Sequence, residues 1–152
     1  MGIPQIAWTE REQTNYIVLH GANTAPSKKY GADHLRGLHM RQGLLDIGYH
    51  YVIRMDGIID LGRPSFSVGN HTETHNEDSI GVAFIGGIDK DYNPEDNFSS
   101  LQIRVCKGLV ATLIQMHPEA EIVSHNELEG GDNEFMNSVA SDFRESPLGE
   151  FD

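Results

Sequence analysis

The sequence contains a single cysteine, a single tryptophan and few basic residues. Its 152 residues include 11 lysines and arginines against 23 acidic residues, which gives a formal net charge of −12. The lone Cys106 excludes an internal disulfide and a zinc site built from several thiolates. So acidic a chain lacks the basic surface that nucleic acids and anionic membranes attract. We therefore expect neither nucleic acid nor membrane among its partners.

Long apolar runs are missing as well. Hydrophobic residues make up 38% of the chain, and no apolar run reaches the roughly 20 residues that a transmembrane helix requires. Residues 1–11 lack the basic segment and following apolar segment of a secretory signal. We predict a single domain over residues 1–152, with a core from about residue 15 to residue 143, and no signal peptide.

A hairpin is predicted near the middle of the chain. Residues 47–59 are rich in aromatic and β-branched side chains, and Asp56-Gly57 supplies a turn between two apolar runs. Tyr49 and His50 stand at the start of this hairpin, directly after a glycine. A phenol and an imidazole at the mouth of a core strand are rigidly placed and close to any pocket above the sheet.

The remaining elements follow from apolar patterns. Buried-strand runs occupy residues 16–19, 79–85 and 121–124. One helix is predicted from a cap at Asp33 to about Gly43, and a second from a cap at Ser99 or Ser100 to Met116. Residues 126–152 hold eight acids and one base, and we expect loops there, with at most one short helical turn.

Two of the predicted strands, far apart in the sequence, each end on a histidine. These residues are His20 and His125. If the two strands are neighbours in one sheet, both imidazoles emerge at the same edge. Two imidazoles, a third protein ligand and a water form a catalytic zinc site. Histidines at strand ends are not rare, so the spacing by itself also fits two core histidines.

A series of short motifs around these histidines resembles a known family, the zinc-dependent N-acetylmuramoyl-L-alanine amidases of the type-2 amidase and peptidoglycan-recognition superfamily. The likeness is greatest to the small lysozymes of the T-seven phage group, and it covers about residues 10 to 128. The motifs, in chain order, are Ile17-Val18-Leu19-His20, His39 to Gly43, Asp46 to Ile53, Asp56-Gly57, Gly62-Arg63, Val68-Gly69-Asn70-His71, Asn76, Ser79-Ile80-Gly81-Val82, Gly86-Gly87 and His125.

The resemblance implies an α/β fold, with a central mixed β-sheet flanked by helices and a zinc cleft on one face. His20 and His125 match the family's two zinc-binding histidines, for one zinc ion. Tyr49 matches the catalytic tyrosine, and His71 and Asn76 fall where substrate would bind. Zinc polarises a carbonyl and makes water nucleophilic near neutral pH, and a phenol can orient that water or stabilise an oxyanion.

The resemblance also implies a function. We expect a phage endolysin that cleaves the amide between N-acetylmuramic acid and the L-alanine of the stem peptide. Its partner is bacterial peptidoglycan, and it is expected to be a monomer. It would accumulate in the host cytoplasm and act on the cell wall after release. The alternative is a degenerate member that binds peptidoglycan without cutting it; a regulatory partner is a third possibility that no residue here supports.

The chain departs from the family pattern at the third zinc ligand, which is usually a cysteine near a lysine. Aligning that segment on Phe143 puts Ala140 at the cysteine and Ser138 at the lysine. A methyl group does not ligate zinc, and a hydroxyl carries no positive charge. The altered segment favours the non-catalytic alternative, whereas the retained histidines and tyrosine favour the enzyme.

Two acids are candidates to replace the missing cysteine. Asp142 lies beside the aligned Phe143, and an aspartate is the third ligand in one branch of the family. Asp132 is nearer to His125 in the sequence. We predict Asp142 as the third ligand and Asp132 or water as the alternatives. Glu127 is a further candidate, to orient one of the imidazoles.

Overall fold

Five strands form one mixed β-sheet in the computed structural model, which describes residues 7–130 and 134–145. The strands are β1 (Tyr16–Gly21), β2 (Tyr51–Ile53), β3 (Ile59–Leu61), β4 (Ser79–Phe84) and β5 (Glu121–Ser124). Their order is β3-β2-β4-β1-β5, with β3 antiparallel to β2 and the other neighbours parallel. The α/β class and the mixed sheet predicted from the sequence are confirmed.

The predicted hairpin is present. Strands β2 and β3 pair with Tyr51 opposite Leu61. Gly57 closes the turn with φ +82°, and its amide donates to the Arg54 carbonyl at 2.9 Å. That conformation is in the left-handed region, which glycine adopts without strain. The Asp56-Gly57 signal therefore marked the turn correctly.

Helices cover both faces of the sheet. On one face lies α1 (Ala32–Arg41), and on the other α2 (Ser100–Met116) packs with α4 (Phe135–Glu145). Because strand side chains alternate between faces, Ile80, Val82 and Phe84 of β4 contribute to the α2 and α4 side. Ala83 and Ile85 contribute to the α1 side. Among the described residues, no helix is long and apolar enough to cross a membrane.

The helix caps agree with the sequence in one case and differ in the other. Ser99 caps α2 through a capping box with Gln102, as predicted. The N-cap of α1 is Gly31, whereas Asp33 lies inside the first turn. The first turn is held instead by Asp60, whose carboxylate accepts from the Ala32 amide at 2.9 Å. Asp33 pairs with Arg36 at 2.6 Å on the surface.

The region after His125 is more helical than predicted. A short helix α3 (His125–Glu129) follows β5 directly, and α4 adds eleven residues where loops were expected. The buried residues of α4 recur at helical spacing: Met136, Val139, Ala140 and Phe143. This stripe packs into the core beside α2. The prediction of a largely irregular C-terminal region was therefore wrong, because four apolar residues bury one face of a helix there.

Candidate functional site

The two histidines at the strand ends lie side by side. Strands β1 and β5 are parallel neighbours, with Leu19 opposite Ser124. His20 therefore lies near the carboxyl end of β1, and His125 begins α3 directly after β5. Their ring centroids are 5.0 Å apart. Whether these strands are neighbours was left open by the sequence; in the structure they are, and both imidazoles reach the same edge.

His20 is a buried, neutral imidazole. Only 5% of its surface is exposed, and burial, followed by the proximity of His125 and His50, holds its pKa well below the ordinary value. Its Nε2 lies 2.9 Å from Nδ1 of His71. The described residues offer no hydrogen-bond partner to its Nδ1. In the tautomer with its proton on Nε2, His20 donates a hydrogen bond to His71, and the lone pair on its Nδ1 is available to bind a ligand.

His71 is held by side chains and by two glycines. Its Nδ1 also lies 2.8 Å from the hydroxyl of Thr72. The ring rests against the backbone of Gly81 in β4, where an added Cβ would stand 2.5 Å from a ring carbon. An added Cβ at Gly69 would stand 2.6 Å from the same ring. Two glycines are thus required for His71 to reach His20. Burial, followed by the proximity of His20, other imidazoles and Arg63, keeps the pKa of His71 well below its ordinary value.

His125 is oriented by a carboxylate. Its Nε2 donates to Oε1 of Glu129, one helical turn later, at 2.9 Å. The other oxygen of Glu129 accepts from the amide of Thr74 at 3.0 Å and from its hydroxyl at 2.9 Å. Burial acts to raise the pKa of Glu129, but hydrogen bonds from Thr74 and His125 outweigh it, and the pKa is lowered. Glu129 is therefore an ionised acceptor that fixes the His125 ring.

Glu127, and not Glu129, was predicted from the sequence to orient an imidazole. Glu127 has a different role: it caps α3 through Ser124 and pairs with Arg144 at 2.8 Å. The spacing of four residues between His125 and Glu129 is the signal that was available, because residues four apart meet on one side of a helix. That signal depends on α3 beginning at His125, which was not predicted.

The donor chemistry fits half of a zinc site. Zinc takes neutral imidazole nitrogens, and the ring nitrogen that does not bind metal usually donates to a carboxylate or another acceptor. His20 and His125 both have Nε2 engaged in this way. Among residues 7–130 and 134–145, however, no three His, Cys, Asp or Glu side chains are grouped closely enough to hold a metal. The described part of the chain supplies two ligands and not the third.

Tyr49 closes the cleft beside His20. Its ring centroid is 5.0 Å from that of His20 and 6.2 Å from that of His71. Burial raises the pKa of Tyr49 to about 12, so the phenol keeps its proton near neutral pH and is a hydrogen-bond donor. Gly48 fixes its backbone: the Gly48 amide donates to Nδ1 of His39 at 2.9 Å, and its carbonyl accepts from the Asn70 amide at 2.9 Å.

His50, the neighbour of Tyr49, points away from the cleft. Its Nδ1 accepts from the Gly81 amide at 3.0 Å and its Nε2 donates to the Ser67 carbonyl at 2.7 Å. Burial lowers its pKa to about 4, despite an opposing contribution from the Ser67 hydrogen bond. A neutral ring with both nitrogens satisfied joins β4 to the 67–72 loop. His50 therefore supports the loop that carries His71.

Asn76 also supports this loop. Its side-chain oxygen accepts from the amides of His71 and Thr72 at 2.8 and 2.9 Å. Asn76 thereby holds the backbone on which the His71 ring is mounted. The described contacts of Asn76 are internal to the protein, and its predicted contact with substrate stays a prediction.

Asp142, the predicted replacement for the family cysteine, lies elsewhere. Asp142 is on the exposed side of α4, and Ser138 is exposed on the same helix. Ala140 is fully buried against the core. Met136, six residues before Asp142, is the α4 residue that reaches the cleft, and six residues of helix span about 9 Å. The structure does not bring Asp142 to the two imidazoles, and Asp132 lies outside the described residues.

Two cavities flank the histidines. One, of about 550 Å³, is lined by His20 and His125. Asn23, Tyr92, Pro94 and Met136 are among its other lining residues. The second, of about 480 Å³, is lined by Tyr49, His71 and Glu129 together with His39 and Asn70. The rings that form the candidate site therefore lie between two openings. A chain-like substrate with its reacting bond at the histidines could extend into both.

The chain is similar in sequence and in fold to known amidases and peptidoglycan-recognition proteins. The family described as N-acetylmuramoyl-L-alanine amidase matches residues 10–137. The endolysins of Enterobacteria phage K11 and Escherichia phage T7 are each 36% identical over 124 residues, which is 82% of this chain and 82% of each relative. An endolysin N-acetylmuramoyl-L-alanine amidase from Clostridium intestinale superposes with a TM-score of 0.71 at 22% identity, covering 93% of both chains. A bumblebee PGRP-SA superposes with a TM-score of 0.76 at 19% identity, over 97% of this chain and 91% of that one.

Proposed function

The chain belongs to the N-acetylmuramoyl-L-alanine amidase family, and we propose that it acts as a zinc-dependent phage endolysin. The bond it hydrolyses is the amide between N-acetylmuramic acid and the L-alanine of the stem peptide in peptidoglycan. In this proposal the protein is made in the host cytoplasm as a monomer and reaches the cell wall after release.

The pairing of His20 with His125 is the observation that carries the zinc proposal. Their rings are 5.0 Å apart at the carboxyl ends of adjacent strands, and each has its Nε2 committed to another side chain. Both Nδ1 atoms would hold the metal. Zinc, when bound, supplies Lewis acidity that polarises the scissile carbonyl and makes a water nucleophilic near neutral pH. Because Asp142 is exposed on α4, we favour the alternatives predicted from the sequence, Asp132 or water, for the third ligand.

The chain's own residues divide the remaining tasks. The Tyr49 phenol is protonated near neutral pH and lies beside His20, and in this proposal it donates a hydrogen bond to the oxygen on which charge develops. Nδ1 of His71 accepts a hydrogen bond from Nε2–H of His20 and so keeps the His20 ring in one tautomer. Glu129 does the same for His125. These contacts set the orientation of both imidazoles before substrate arrives.

Digestion of purified peptidoglycan tests the proposal. The zinc-loaded protein should release stem peptides with a new L-alanine amino terminus, measured by dansylation and mass spectrometry, and a chelator should abolish the release. New reducing sugar ends without new amino termini would show a glycosidase and overturn the assignment. Binding to peptidoglycan without any release would instead identify the non-catalytic alternative.

A further inference from the structure

Two residues in the described chain share an uncommon backbone conformation. Asn23 and Tyr92 are its two non-glycine residues with positive φ, at 58° and 65°. Both line the cavity of about 550 Å³ that also contains His20 and His125. Asparagine tolerates this region, whereas a tyrosine gives up about 1–2 kcal/mol to adopt it. Such strain gathers at functional sites, where the surrounding structure enforces it.

The turn that carries Tyr92 enforces its conformation. The carboxylate of Asp89 accepts from the amides of Asp91 and Asn93 at 2.8 and 2.9 Å. The amide of Asp89 donates to the Asn93 carbonyl at 2.8 Å, and the Tyr92 amide donates to the Asp89 carbonyl at 3.1 Å. Hydrogen bonds from Asn93 and Asp91 lower the pKa of Asp89. Five residues therefore form a compact, ionised turn with Tyr92 near its tip.

The base of the turn is anchored as firmly as its tip. The side-chain oxygen of Asn97 accepts from the Gly87 amide at 2.8 Å, and its nitrogen donates to the Ile88 carbonyl at 2.9 Å. Ile88 also forms a bridge with Pro94. The position of Tyr92 relative to the sheet is thus fixed through backbone and side-chain hydrogen bonds on both sides of the turn.

Packing within the chain does not explain why an aromatic ring occupies this position. Tyr92 is 82% exposed, and none of the aromatic ring pairs among the described residues includes it. A rigid, amphipathic ring held out beside a cavity provides contact area at a low cost in conformational entropy. Ile88, Pro94 and Met136 add apolar surface to the same cavity, and Asn23 adds an amide.

We propose that Tyr92 is a stacking platform for the amino-sugar ring next to the scissile amide. A pyranose has an apolar C–H face, which suits an aromatic ring, and polar edges, which suit amides and imidazoles. The inference depends on the proposed function, since that function puts the scissile amide at His20 and His125. It assigns the cavity beside Tyr92 to the glycan and leaves the cavity beside Tyr49 and Glu129 to the peptide.

The assignment is tested by measuring the binding of two fragments that lack the scissile amide and therefore cannot be hydrolysed. The fragments are the N-acetylglucosaminyl-N-acetylmuramic acid disaccharide without peptide, and the free stem peptide without sugar. Calorimetry or NMR titration of the zinc-loaded protein should show disaccharide affinity about five- to tenfold weaker in Tyr92→Gly. Tyr92→Phe, which keeps the ring, should stay within about twofold of the wild type. Peptide affinity should be equal in all three proteins.

Two controls separate a lost contact from a damaged fold. Glycine adopts positive φ without strain, so the Tm of Tyr92→Gly should be no lower than that of the wild type; Tyr92→Asn, also suited to this region, provides a second variant if it is lower. Phe66, an exposed aromatic residue outside both cavities, should be replaceable by alanine without loss of disaccharide affinity.

Three results would overturn the inference: a wild-type protein that does not bind the disaccharide, equal disaccharide affinity in Tyr92→Gly and the wild type, or a loss confined to the peptide. The last result would assign this cavity to the peptide. The release of L-alanine amino termini by the wild type reports on the proposed function independently of all three.

Discussion

The cleft has two walls built on different principles. The wall on the sheet, formed by His20, Tyr49 and His71, is enclosed by backbone and by two glycines. The wall on the helices, formed by His125 and Glu129, is open, with 38% and 19% of these side chains exposed. On the sheet side, burial keeps the two imidazoles neutral and the phenol protonated, and close packing fixes the orientation of the His71 ring. On the helix side, one carboxylate does most of the orienting.

Removing a metal ligand from either wall should have the largest effect. His20→Ala or His125→Ala should lose both zinc and amidase activity, because a site with one imidazole fewer holds zinc poorly. Zinc per protein after dialysis, measured by plasma mass spectrometry, reports the outcome. His34→Ala is the matched control, since that ring stacks on Tyr30. Wild-type zinc content in His20→Ala would refute the assignment.

Tyr49→Phe should separate chemistry from metal binding on the sheet wall. The ring stays, the donor is lost, and kcat should fall about 100-fold with zinc content unchanged. Because the pKa of Tyr49 is raised to about 12, the defect should be constant across neutral pH in a rate profile. Loss of zinc in this variant would show a structural role in place of a catalytic one.

Glu129→Ala tests how far the helix wall relies on one carboxylate. Zinc affinity should weaken about 10- to 100-fold, the usual cost of losing the acceptor behind a ligating histidine. Glu129→Gln keeps an oxygen acceptor for His125 and should lose less. Competition with a chromophoric chelator measures both. Glu127→Gln, altered at the carboxylate that pairs with Arg144, should bind zinc normally; equal affinity in all variants would contradict the orienting role.

Gly81→Ala tests whether shape governs the sheet wall. The new Cβ would stand 2.5 Å from the His71 ring, and the ring or strand must shift, at a cost of about 1–3 kcal/mol in the free energy of unfolding. Gly37→Ala is the control, since its Cβ meets only the end of the Arg41 side chain at 3.4 Å. In the middle of α1 that change should be neutral or stabilise by up to about 1 kcal/mol. Urea unfolding compares the two.

Asp142→Ala should have the smallest effect on zinc binding. It tests the ligand predicted by the sequence alignment against the position of Asp142 in the structure. The alignment on Phe143 predicts that this variant loses zinc. The exposed position of Asp142 on α4 predicts zinc content and affinity close to wild type, and this is the outcome we expect. Loss of zinc on this change alone would restore Asp142 as the third ligand.

The two walls also differ in how well the sequence predicts them. Strands β1, β4 and β5 and the hairpin were predictable, because buried runs and the Asp56-Gly57 turn are local signals. The positions of His20 and His125 at strand ends followed from those strands, and their proximity followed on the condition that β1 and β5 are neighbours. Contact between His71 and His20 did not, because it depends on a loop crossing β4 at Gly81, and no local pattern records such a crossing.

On the helix side, a local signal was missed. Met136, Val139, Ala140 and Phe143 have helical spacing, yet loops were expected there, and the alignment on Phe143 was then used to choose Asp142 as a ligand. The helix buries that phenylalanine and turns Asp142 outward. Glu129 was missed for a related reason, since its partner lies one turn away only if α3 begins at His125.

The neutral histidines of the sheet wall, together with His50 behind it, also make the stability of the protein depend on pH. Unfolded, each ring would take up a proton near pH 6.5, whereas burial lowers the pKa of His20, His50 and His71 in the folded state. Their contribution to stability is complete above pH 6.5 and is lost as the pH falls. For His50, with a pKa of about 4, it amounts to about 3 kcal/mol. Mild acid should therefore destabilise the folded protein by protonating these rings, which a series of urea unfolding curves below pH 6.5 would measure.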